Sequence, residues 1–370
     1  MYFYAMIANK NLKRFTYSCL LATFVAFLVI SCSGNMSDEG TDVVTFLRVS
    51  SSESSTVIGK TIHFSATDNL NNDVTSTSEF YVNGILNETG ASYTPTKSGK
   101  FEVVAKMNGL ASKPLALEVT ALSGVNFVHR ILYEDYTGTW CGNCPLAVVR
   151  YENLVKQNEN VVLLGIHGPQ GSGDPYINPT SNAIIKSKKV YGFPTILING
   201  KYSWTTSDNN YTDMSFPLQY LKPSSKIGIS ANTTLSGNTL DGEVKVSFAE
   251  GYQNLKMAIY VVENDLHYAQ HNYFNGTGGK PIFYEGLPII ENYTHHNVVR
   301  DNITAVDGEV IPSTQSTENT VFSKPISYNV PSEYIKENTK LVIVIMDKDG
   351  AVLNTREVVI NTNNDLEIIE

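Results

Sequence analysis

Cysteine is scarce in this sequence, and the positions of its four cysteines narrow what they can do. Cys19 and Cys32 lie within and directly after an apolar amino-terminal segment, so Cys141 and Cys144 are the pair left for the rest of the chain. Zinc takes four ligands, and the sequence offers no second cysteine pair. A disulfide that closes so short a loop stabilises little through chain entropy. A redox pair is therefore favoured, with a zinc half-site or a structural disulfide as the alternatives.

Positive charge is also in short supply. The chain has 27 Lys and Arg against 36 Asp and Glu, a net charge of −9 at pH 7. This sign argues against nucleic acid and against anionic lipid as electrostatic partners. The chain has no low-complexity run, and its 370 residues, 42% of them hydrophobic, predict two or three globular domains.

The amino terminus lacks an apolar run of the ~20 residues that a transmembrane helix needs. Residues 17–30 form a mostly apolar stretch of 14 residues, and they follow the basic residues Lys10, Lys13 and Arg14. A basic segment before a short apolar one is typical of a signal peptide.

The end of this segment carries a possible lipidation site. Residues 29–32 read Val-Ile-Ser-Cys and resemble a lipobox, where bacterial lipoproteins are diacylated on the cysteine and cleaved before it. We therefore predict a lipoprotein signal peptide at 1–32 that ends at Cys32, and a flexible tether at 33–40. An ordinary cleaved signal with an incidental cysteine is the alternative.

Two stretches of the chain contain short strand-like runs separated by turn residues. Residues 41–121 have the length and spacing of a seven-strand immunoglobulin-like β-sandwich. Residues 226–362 predict a second β-sandwich, with a long irregular excursion between residues 265 and 307 and a tail at 363–370. The predicted strands of the two stretches are 57–66, 78–82, 101–105, 115–120, 226–231, 243–249, 255–263, 320–328, 340–346 and 352–360.

Residues 122–225 have a different pattern, in which strand-like and helical segments alternate. The continuous apolar run at 161–166 is typical of a buried parallel strand, and the alternation predicts an α/β domain. The predicted strands are 128–136, 161–166, 195–198 and 202–204, and the predicted helices are 146–158, 181–190 and 216–221.

The cysteine pair lies in the motif Trp140-Cys141-Gly142-Asn143-Cys144-Pro145 between the first predicted strand and helix of this domain. Amide groups and the dipole at a helix amino terminus stabilise a thiolate, which would make Cys141 a nucleophile. Cys144 is about one helical turn further on, where it could resolve a mixed disulfide. Pro145 is tolerated in a first helical turn.

These residues resemble the thioredoxin-like proteins, and the resemblance implies roles for their neighbours. Residues 131–136 followed by Trp140 and Cys141 look like the strand that leads into that family's motif. Asp135, six residues before Cys141, matches the family's buried acid, which takes a proton from the second thiol. A surface or turn carboxylate is the alternative for Asp135.

A second segment of the same resemblance lies downstream. Residues 191–196, Tyr-Gly-Phe-Pro-Thr-Ile, resemble the family's cis-proline segment. This implies that Pro194 shapes a substrate cleft lined by Trp140, Phe193 and Thr195, with the backbone of Phe193 free to pair with an extended substrate. An ordinary trans turn proline is the alternative. Asn143 departs from the family's commoner residues, which leaves the direction of electron flow open.

Two further features, a loop and a group of histidines, could take part in chemistry. The loop at 167–176 is longer than a thioredoxin needs and follows a predicted parallel strand. It is either a lid or substrate groove, with His167 near the thiols, or a loop without a functional role. It contains no Gly-Lys-Ser/Thr and is not a phosphate loop. Four histidines could bind a transition metal, but a structural turn that they form with Arg300 is favoured; they are His267, His271, His295 and His296.

Taken together, the arrangement resembles the outer membrane protein 28-related lipoproteins of Gram-negative anaerobes. That family has Thr-Gly-x-x-Cys-x-Asn-Cys-Pro, here residues 137–145, and Tyr-x-His-x-x-Val-x-Arg, here residues 293–300. The resemblance covers roughly 122–362. It implies a lipid anchor in the outer membrane, on the periplasmic face or the cell surface, and leaves the biochemical activity undefined.

The sequence therefore predicts a multidomain α+β chain: an immunoglobulin-like β-sandwich, a thioredoxin-like α/β domain and a carboxy-terminal β-sandwich. The favoured function is thiol–disulfide exchange on exported or surface proteins. Cys141 would attack, Cys144 would resolve the mixed disulfide, and Asp135 would carry the proton. The alternative is a surface binding or adhesion protein with a structural disulfide. We expect no cofactor, no metal and no nucleic-acid partner.

Overall fold

The computed structural model describes residues 43–169, 173–205 and 207–369. The predicted signal peptide, Cys32 and the tether lie outside these residues, and so does the middle of the 167–176 loop. In the described part, the chain is rich in β-structure, with several sheets and three α-helices. This confirms the β-rich fold class that the sequence predicts.

The amino-terminal region forms two sheets that share one core. The sheet orders are β1-β3-β6 and β2-β9-β7-β4-β5, with β8 paired to β7. The inward-facing residues of both sheets meet in a core that includes Phe64, Phe80, Val103 and Leu117. The strands are β1 (Leu47–Ser51), β2 (Ser55–Val57), β3 (Ile62–Asp68), β4 (Glu79–Val82), β5 (Ile85–Leu86), β6 (Ser92–Tyr93), β7 (Gly99–Met107), β8 (Leu110–Ala111) and β9 (Leu115–Thr120). The immunoglobulin-like topology of this region stays a prediction.

The single strand predicted at 57–66 is two strands, because a turn at Gly59 separates them. Gly59 has a φ of 84°, a left-handed conformation that glycine adopts without a steric penalty. A Cβ at Gly59 would lie 2.7 Å from Oγ of Ser247, so the turn also packs closely on the carboxy-terminal strands.

The central region alternates strands and helices as predicted. β11 lies between β12, which runs parallel to it, and β13, which runs antiparallel. The helix predicted at 181–190 begins earlier, because the side chain of Asn178 accepts a hydrogen bond from the amide of Ser181 in a capping box. The elements are β10 (Asn126–Phe127), β11 (Ile131–Thr137), α1 (Pro145–Gln157), β12 (Val161–His167), α2 (Pro179–Ser187), β13 (Thr195–Ile198), β14 (Tyr202–Ser203) and α3 (Ser215–Leu218).

The carboxy-terminal region is built almost entirely from strands. β22, β16, β15 and β25 form a four-stranded sheet in that order, and β18 and β19 form a separate two-stranded ribbon. The strands are β15 (Ile227–Ser236), β16 (Thr239–Phe248), β17 (Lys256–Glu263), β18 (Leu266–His271), β19 (Ile289–His295), β20 (Val298–Asn302), β21 (Glu309–Val310), β22 (Thr320–Asn329), β23 (Thr339–Met346), β24 (Val352–Val359), β25 (Asn363–Asn364) and β26 (Ile368–Ile369). Short strands are thus present in the predicted tail.

One sheet joins the central and carboxy-terminal regions across residue 225. Its order is β14-β13-β11-β12-β20-β17-β23-β24, with β21 paired to β17. The junction is a parallel contact of β12 with β20, where Gly165 pairs with Val298. A Cβ at Gly165 would lie 3.0 Å from the carbonyl oxygen of His296, so glycine permits this close approach.

The two faces of this sheet carry different cores. Because side chains alternate along a strand, Ile259 of β17 packs toward the four-stranded sheet. Its neighbours Ala258 and Tyr260 face the opposite side, where Ile184 and Ile185 of α2 cover them. This second core continues onto β11 and β12, so the central helices and the carboxy-terminal strands stabilise each other.

The excursion predicted as irregular between residues 265 and 307 contains β18, β19 and β20. The ribbon of β18 and β19 is antiparallel, and its register shifts between Tyr268 and Gln270. Its strands are rich in polar and exposed residues, including His267, His271 and Glu291. They therefore lack the apolar alternation by which the other strands were predicted.

Candidate functional site

Cys141 and Cys144 are joined in a disulfide with a Cα–Cα distance of 5.3 Å. β11 ends at Thr137 and α1 begins at Pro145, so the motif lies between a strand and a helix, as the sequence predicts. Cys144 is the N-cap residue of α1, and Pro145 occupies its first turn. The backbone N–H of Cys144 donates to the carbonyl oxygen of Cys141 (3.1 Å), which closes a tight turn between the two sulfurs.

Both cysteines are buried. The exposed fraction is 4% for Cys141 and 1% for Cys144. A sulfur atom must meet its reaction partner directly for thiol–disulfide exchange. The residues that cover the pair are therefore part of the site.

Asp135 is a buried carboxyl group in the middle of β11. It pairs through its backbone with Gly165 of β12 and Ile196 of β13, and it is 3% exposed. Its Oδ1 has no hydrogen-bond partner among the described residues. Burial raises the pKa of Asp135 from 3.8 to about 8, because an apolar environment penalises the ionised form. At neutral pH this group therefore holds a proton.

Trp140 of the motif contacts the 191–196 segment. The rings of Trp140 and Phe193 meet edge to face with their centroids 5.6 Å apart. The indole N–H of Trp140 donates to the carbonyl oxygen of Gly168 (3.2 Å). The Phe193–Pro194 peptide bond is cis, as predicted. The hydroxyl of Thr195 donates to the carbonyl oxygen of Gly192 (2.8 Å).

The end of the 167–176 loop is tied to the motif by a buried carboxylate. Oδ2 of Asp174 accepts hydrogen bonds from the amide of Thr139 and from Nδ1 of His167, both at 2.8 Å, and Oδ1 accepts from the amide of Tyr176 (2.9 Å). Burial opposes ionisation of Asp174, but these donors outweigh it and lower the pKa. Asp174 thus connects His167 to Thr139 of the motif loop, and the predicted position of His167 near the thiols stays a prediction.

His295 joins this buried cluster. Its ring lies 5.3 Å from the ring of His167 and 4.8 Å from that of Tyr293, between centroids. Burial lowers the pKa of His295 to about 3, so the imidazole is neutral at physiological pH. No group of three or more His, Cys, Asp or Glu side chains suited to a metal occurs among the residues that the structure describes.

Arg300 lies at the edge of this cluster. Its guanidinium is 5.9 Å from the ring centroid of Tyr176, and that ring contacts His167 and His295. Its Nη1 pairs with Oε2 of the buried Glu263 at 2.9 Å, which also holds β20 against β17.

Residues of β18 and of the connection between β18 and β19 lie on the motif, and the sequence pattern did not indicate them. Gln270 is hydrogen-bonded to Cys141, Tyr273 to Gly142, and Lys280 to Asn143. They lie about 130 positions after the motif, in a polar segment without a recognisable spacing. The nearest signal in the sequence is the Tyr-x-His part of the family motif, which lies in the same ribbon.

The fold and the site define a β-rich protein that carries a Cys-x-x-Cys disulfide at the start of a helix. Residues 181–364 match the model of the family described as outer membrane protein Omp28, which confirms the predicted family resemblance for this part of the chain. The family supports an association with the outer membrane. No helix of the described residues has the length and hydropathy to cross a membrane.

The solved structures that are similar to this chain include two from Porphyromonas gingivalis. HBP35 of Porphyromonas gingivalis is 13% identical with a TM-score of 0.49, over 65% of this chain and 77% of that chain. A domain of the outer membrane lipoprotein Omp28 from Porphyromonas gingivalis is 16% identical with a TM-score of 0.23, over 37% of this chain and 89% of that chain. No curated protein matches the chain.

Proposed function

We propose that this protein is a lipid-anchored outer-membrane protein whose Cys141–Cys144 pair exchanges with thiols and disulfides of exported or surface proteins. The central region would act as a thioredoxin-like domain between two β domains, and Cys32 would carry the lipid. One observation carries the proposal: the disulfide between Cys141 and Cys144 at the start of helix α1. The strand that leads into it, β11, carries the buried carboxyl group of Asp135.

The proposed reaction balances without a cofactor. In the reduced protein, the Cys141 thiolate attacks one sulfur of a substrate disulfide, and the other substrate sulfur leaves as a thiolate that takes up a proton. The Cys144 thiolate then attacks the Cys141 sulfur and releases the second substrate thiol. Two electrons pass from the protein dithiol to the substrate disulfide. The reverse sequence oxidises a substrate dithiol.

Asp135 is proposed to handle the proton of the second thiol. A carboxyl group is an effective acid or base when its pKa lies near the working pH, and burial brings the pKa of Asp135 to about 8. Trp140, Phe193, Pro194 and Thr195 would form the cleft beside the disulfide, which agrees with the edge-to-face contact between Trp140 and Phe193.

A binding or adhesion protein with a permanent disulfide is the second candidate, and the burial of the sulfurs favours it. Cys144 is 1% exposed, as is typical of an inert structural cysteine. The β-rich regions on either side of the motif would then supply the binding surface. The two candidates differ in whether the sulfurs react with a partner.

Trapping of a mixed disulfide distinguishes the two candidates. The probe is an extended synthetic peptide with one internal disulfide, added to the reduced, detergent-solubilised full chain. Cys144→Ser retains the nucleophile and lacks the resolving thiol, so it is expected to accumulate a covalent peptide adduct on Cys141, detected by intact mass. Cys141→Ser is the matched control and is expected to form none. Equal adduct on both variants, or on neither, contradicts the proposal.

A further inference from the structure

A segment of the carboxy-terminal region lies directly on the motif loop. We name residues 270–283 the cover segment. Two backbone hydrogen bonds join it to the loop. The amide of His271 donates to the carbonyl oxygen of Thr139 (2.8 Å), and the amide of Tyr273 donates to the carbonyl oxygen of Gly142 (2.7 Å). The cover segment therefore runs beside the disulfide in the way an extended peptide pairs with an open edge.

The side chain of Gln270 adds to this pairing from a fully enclosed position. Gln270 is 2% exposed, and its amide nitrogen lies 3.0 Å from the carbonyl oxygen of Cys141 and 3.2 Å from that of Gly138. A side-chain amide has two N–H donors, and here they satisfy carbonyl oxygens of the loop that bears the nucleophile.

An apolar anchor holds the cover segment against helix α1. Phe274 is fully buried, and its ring packs on Phe283 with centroids 4.8 Å apart. The two rings form one buried apolar cluster with Leu146, two residues after Cys144. Nζ of Lys280 donates to Oδ1 of Asn143 at 2.7 Å, so both variable residues of the motif, Gly142 and Asn143, are engaged by the cover.

We propose that the cover segment is an autoinhibitory element of the exchange site. The inference rests on the function proposed above. An extended polypeptide of the exchange partner would take the place of residues 271–273, and its main-chain N–H groups would donate to the carbonyl oxygens of Thr139 and Gly142. In the closed form the cover keeps Cys141 at 4% exposure, so exchange requires the cover to open first.

The chain between Phe274 and Phe283, the two rings of the apolar anchor, suits such an opening. Residues 276–279 read Gly-Thr-Gly-Gly, and their three glycines have φ values between 61° and 83°. Glycine reaches other backbone conformations from there at little cost. The pairing with the motif consists of hydrogen bonds that a partner's backbone can replace one for one.

The experiment measures how fast dithiothreitol reduces the disulfide in the detergent-solubilised full chain. Phe274→Ala removes the anchor, and Gln270→Ala removes the side-chain bonds without an apolar cavity. Each is expected to raise the reduction rate about tenfold or more, because the bonds and contacts that close the cover are weakened. Ile282→Ala is the matched control, since Ile282 is in the cover but 64% exposed, and its rate is expected to stay within about twofold.

Amide hydrogen exchange gives the second readout. The amides of His271 and Tyr273 are expected to lose protection in Phe274→Ala and Gln270→Ala and to keep it in Ile282→Ala. Faster reduction together with this loss supports the proposal. Loss of protection without faster reduction overturns it, and so does unchanged protection in Gln270→Ala.

The midpoint potential of each variant keeps the two proposals apart. The cover variants could be reduced faster while the pair has a midpoint potential typical of structural disulfides. This result would support the cover as a barrier to reduction and would refute the exchange function. A potential in the range of exchange enzymes with unchanged reduction rates would refute the cover and leave the exchange function standing.

Discussion

The backbone N–H of Tyr273 donates a 2.7 Å hydrogen bond to the carbonyl oxygen of Gly142, the residue that follows the first cysteine of the motif. The two residues are also in steric contact, because a Cβ at Gly142 would lie 2.5 Å from the ring of Tyr273. A residue that follows β18 therefore determines which side chains the motif can contain at the position after Cys141.

This contact predicts a coupled pair of substitutions. Gly142→Ala is expected to destabilise the oxidised protein by about 1–3 kcal/mol, because the added methyl group overlaps the ring. Tyr273→Ala alone is expected to cost little, since Tyr273 is 54% exposed. In the double variant most of the Gly142→Ala loss is expected to disappear. Urea unfolding of the four proteins gives the interaction energy, and strictly additive losses would contradict the contact.

The buried carboxyl of Asp135 predicts a pH-dependent stability. Its pKa is raised in the folded protein, from 3.8 to about 8, so between these values the native state binds a proton that the unfolded state has lost. This group therefore lowers stability as pH rises from about 4 to about 8. Asp135→Asn removes the effect and is expected to be more stable than the wild type at pH 9, by about 1.4 kcal/mol per unit of the shift.

The measurement is urea unfolding of both oxidised proteins at pH 5 and pH 9. A stability advantage of Asp135→Asn that is small at pH 5 and much larger at pH 9 is expected, because the cost of burying the ionised form accumulates up to about pH 8. The same variant is expected to slow exchange with a peptide disulfide by about 10²-fold, the usual loss of a general acid–base group. A variant with the wild-type pH dependence would show that Asp135 ionises normally.

For Asp174, the expected change of stability with pH has the opposite sign to that for Asp135. Its carboxylate accepts three hydrogen bonds, from Thr139, His167 and Tyr176, and its pKa is lowered in the folded state. Asp174→Asn is expected to cost about 2–3 kcal/mol above pH 4, because an amide cannot accept all three bonds and leaves a buried group unsatisfied. The difference from the wild type is expected to shrink as pH falls through the folded pKa of Asp174.

The control for this substitution is Asp349→Asn. The side chain of Asp349 is 58% exposed and pairs with its neighbour Lys348, so its substitution is expected to leave the stability nearly unchanged. Urea unfolding at pH 7 compares the two. Equal losses would mean that Asp174 is not the tie between the 167–176 loop and the motif.

The proposed lipid anchor predicts the behaviour of a single cysteine variant. Cys32→Ser is expected to abolish incorporation of labelled palmitate and to release the protein from the membrane fraction, because the diacylated thioether cannot form. Cys19→Ser changes a cysteine within the apolar run and is expected to leave both unchanged. Palmitate label retained in Cys32→Ser would refute a lipid at this residue.

Local patterns were sufficient to predict the elements on either side of the Cys-x-x-Cys motif. The apolar run before it forms β11, the helical pattern after it forms α1, and Thr195–Ile198 forms β13 at the predicted residues. Each of these elements depends on residues within a short window. The cis bond at Pro194 was predicted only through family resemblance.

Long-range pairing was beyond the reach of the sequence pattern. The junction of the large sheet is a contact of Gly165 with Val298, between segments 133 residues apart. The sequence around neither residue indicates which strand it pairs with. The cover on the motif depends on Gln270, in the polar strand β18, and on Tyr273 just after it, and this segment lacks apolar alternation. Such contacts are set by tertiary packing, which no local periodicity encodes.

The reduction potential of the Cys141–Cys144 pair tests the central claim most directly. The full chain in detergent is equilibrated with glutathione and dithiothreitol buffers, and the dithiol fraction is counted by alkylation and intact mass. A midpoint between about −120 and −270 mV, the range of known exchange enzymes, is the predicted result. A midpoint below about −300 mV, typical of structural disulfides, would contradict thiol–disulfide exchange as the function.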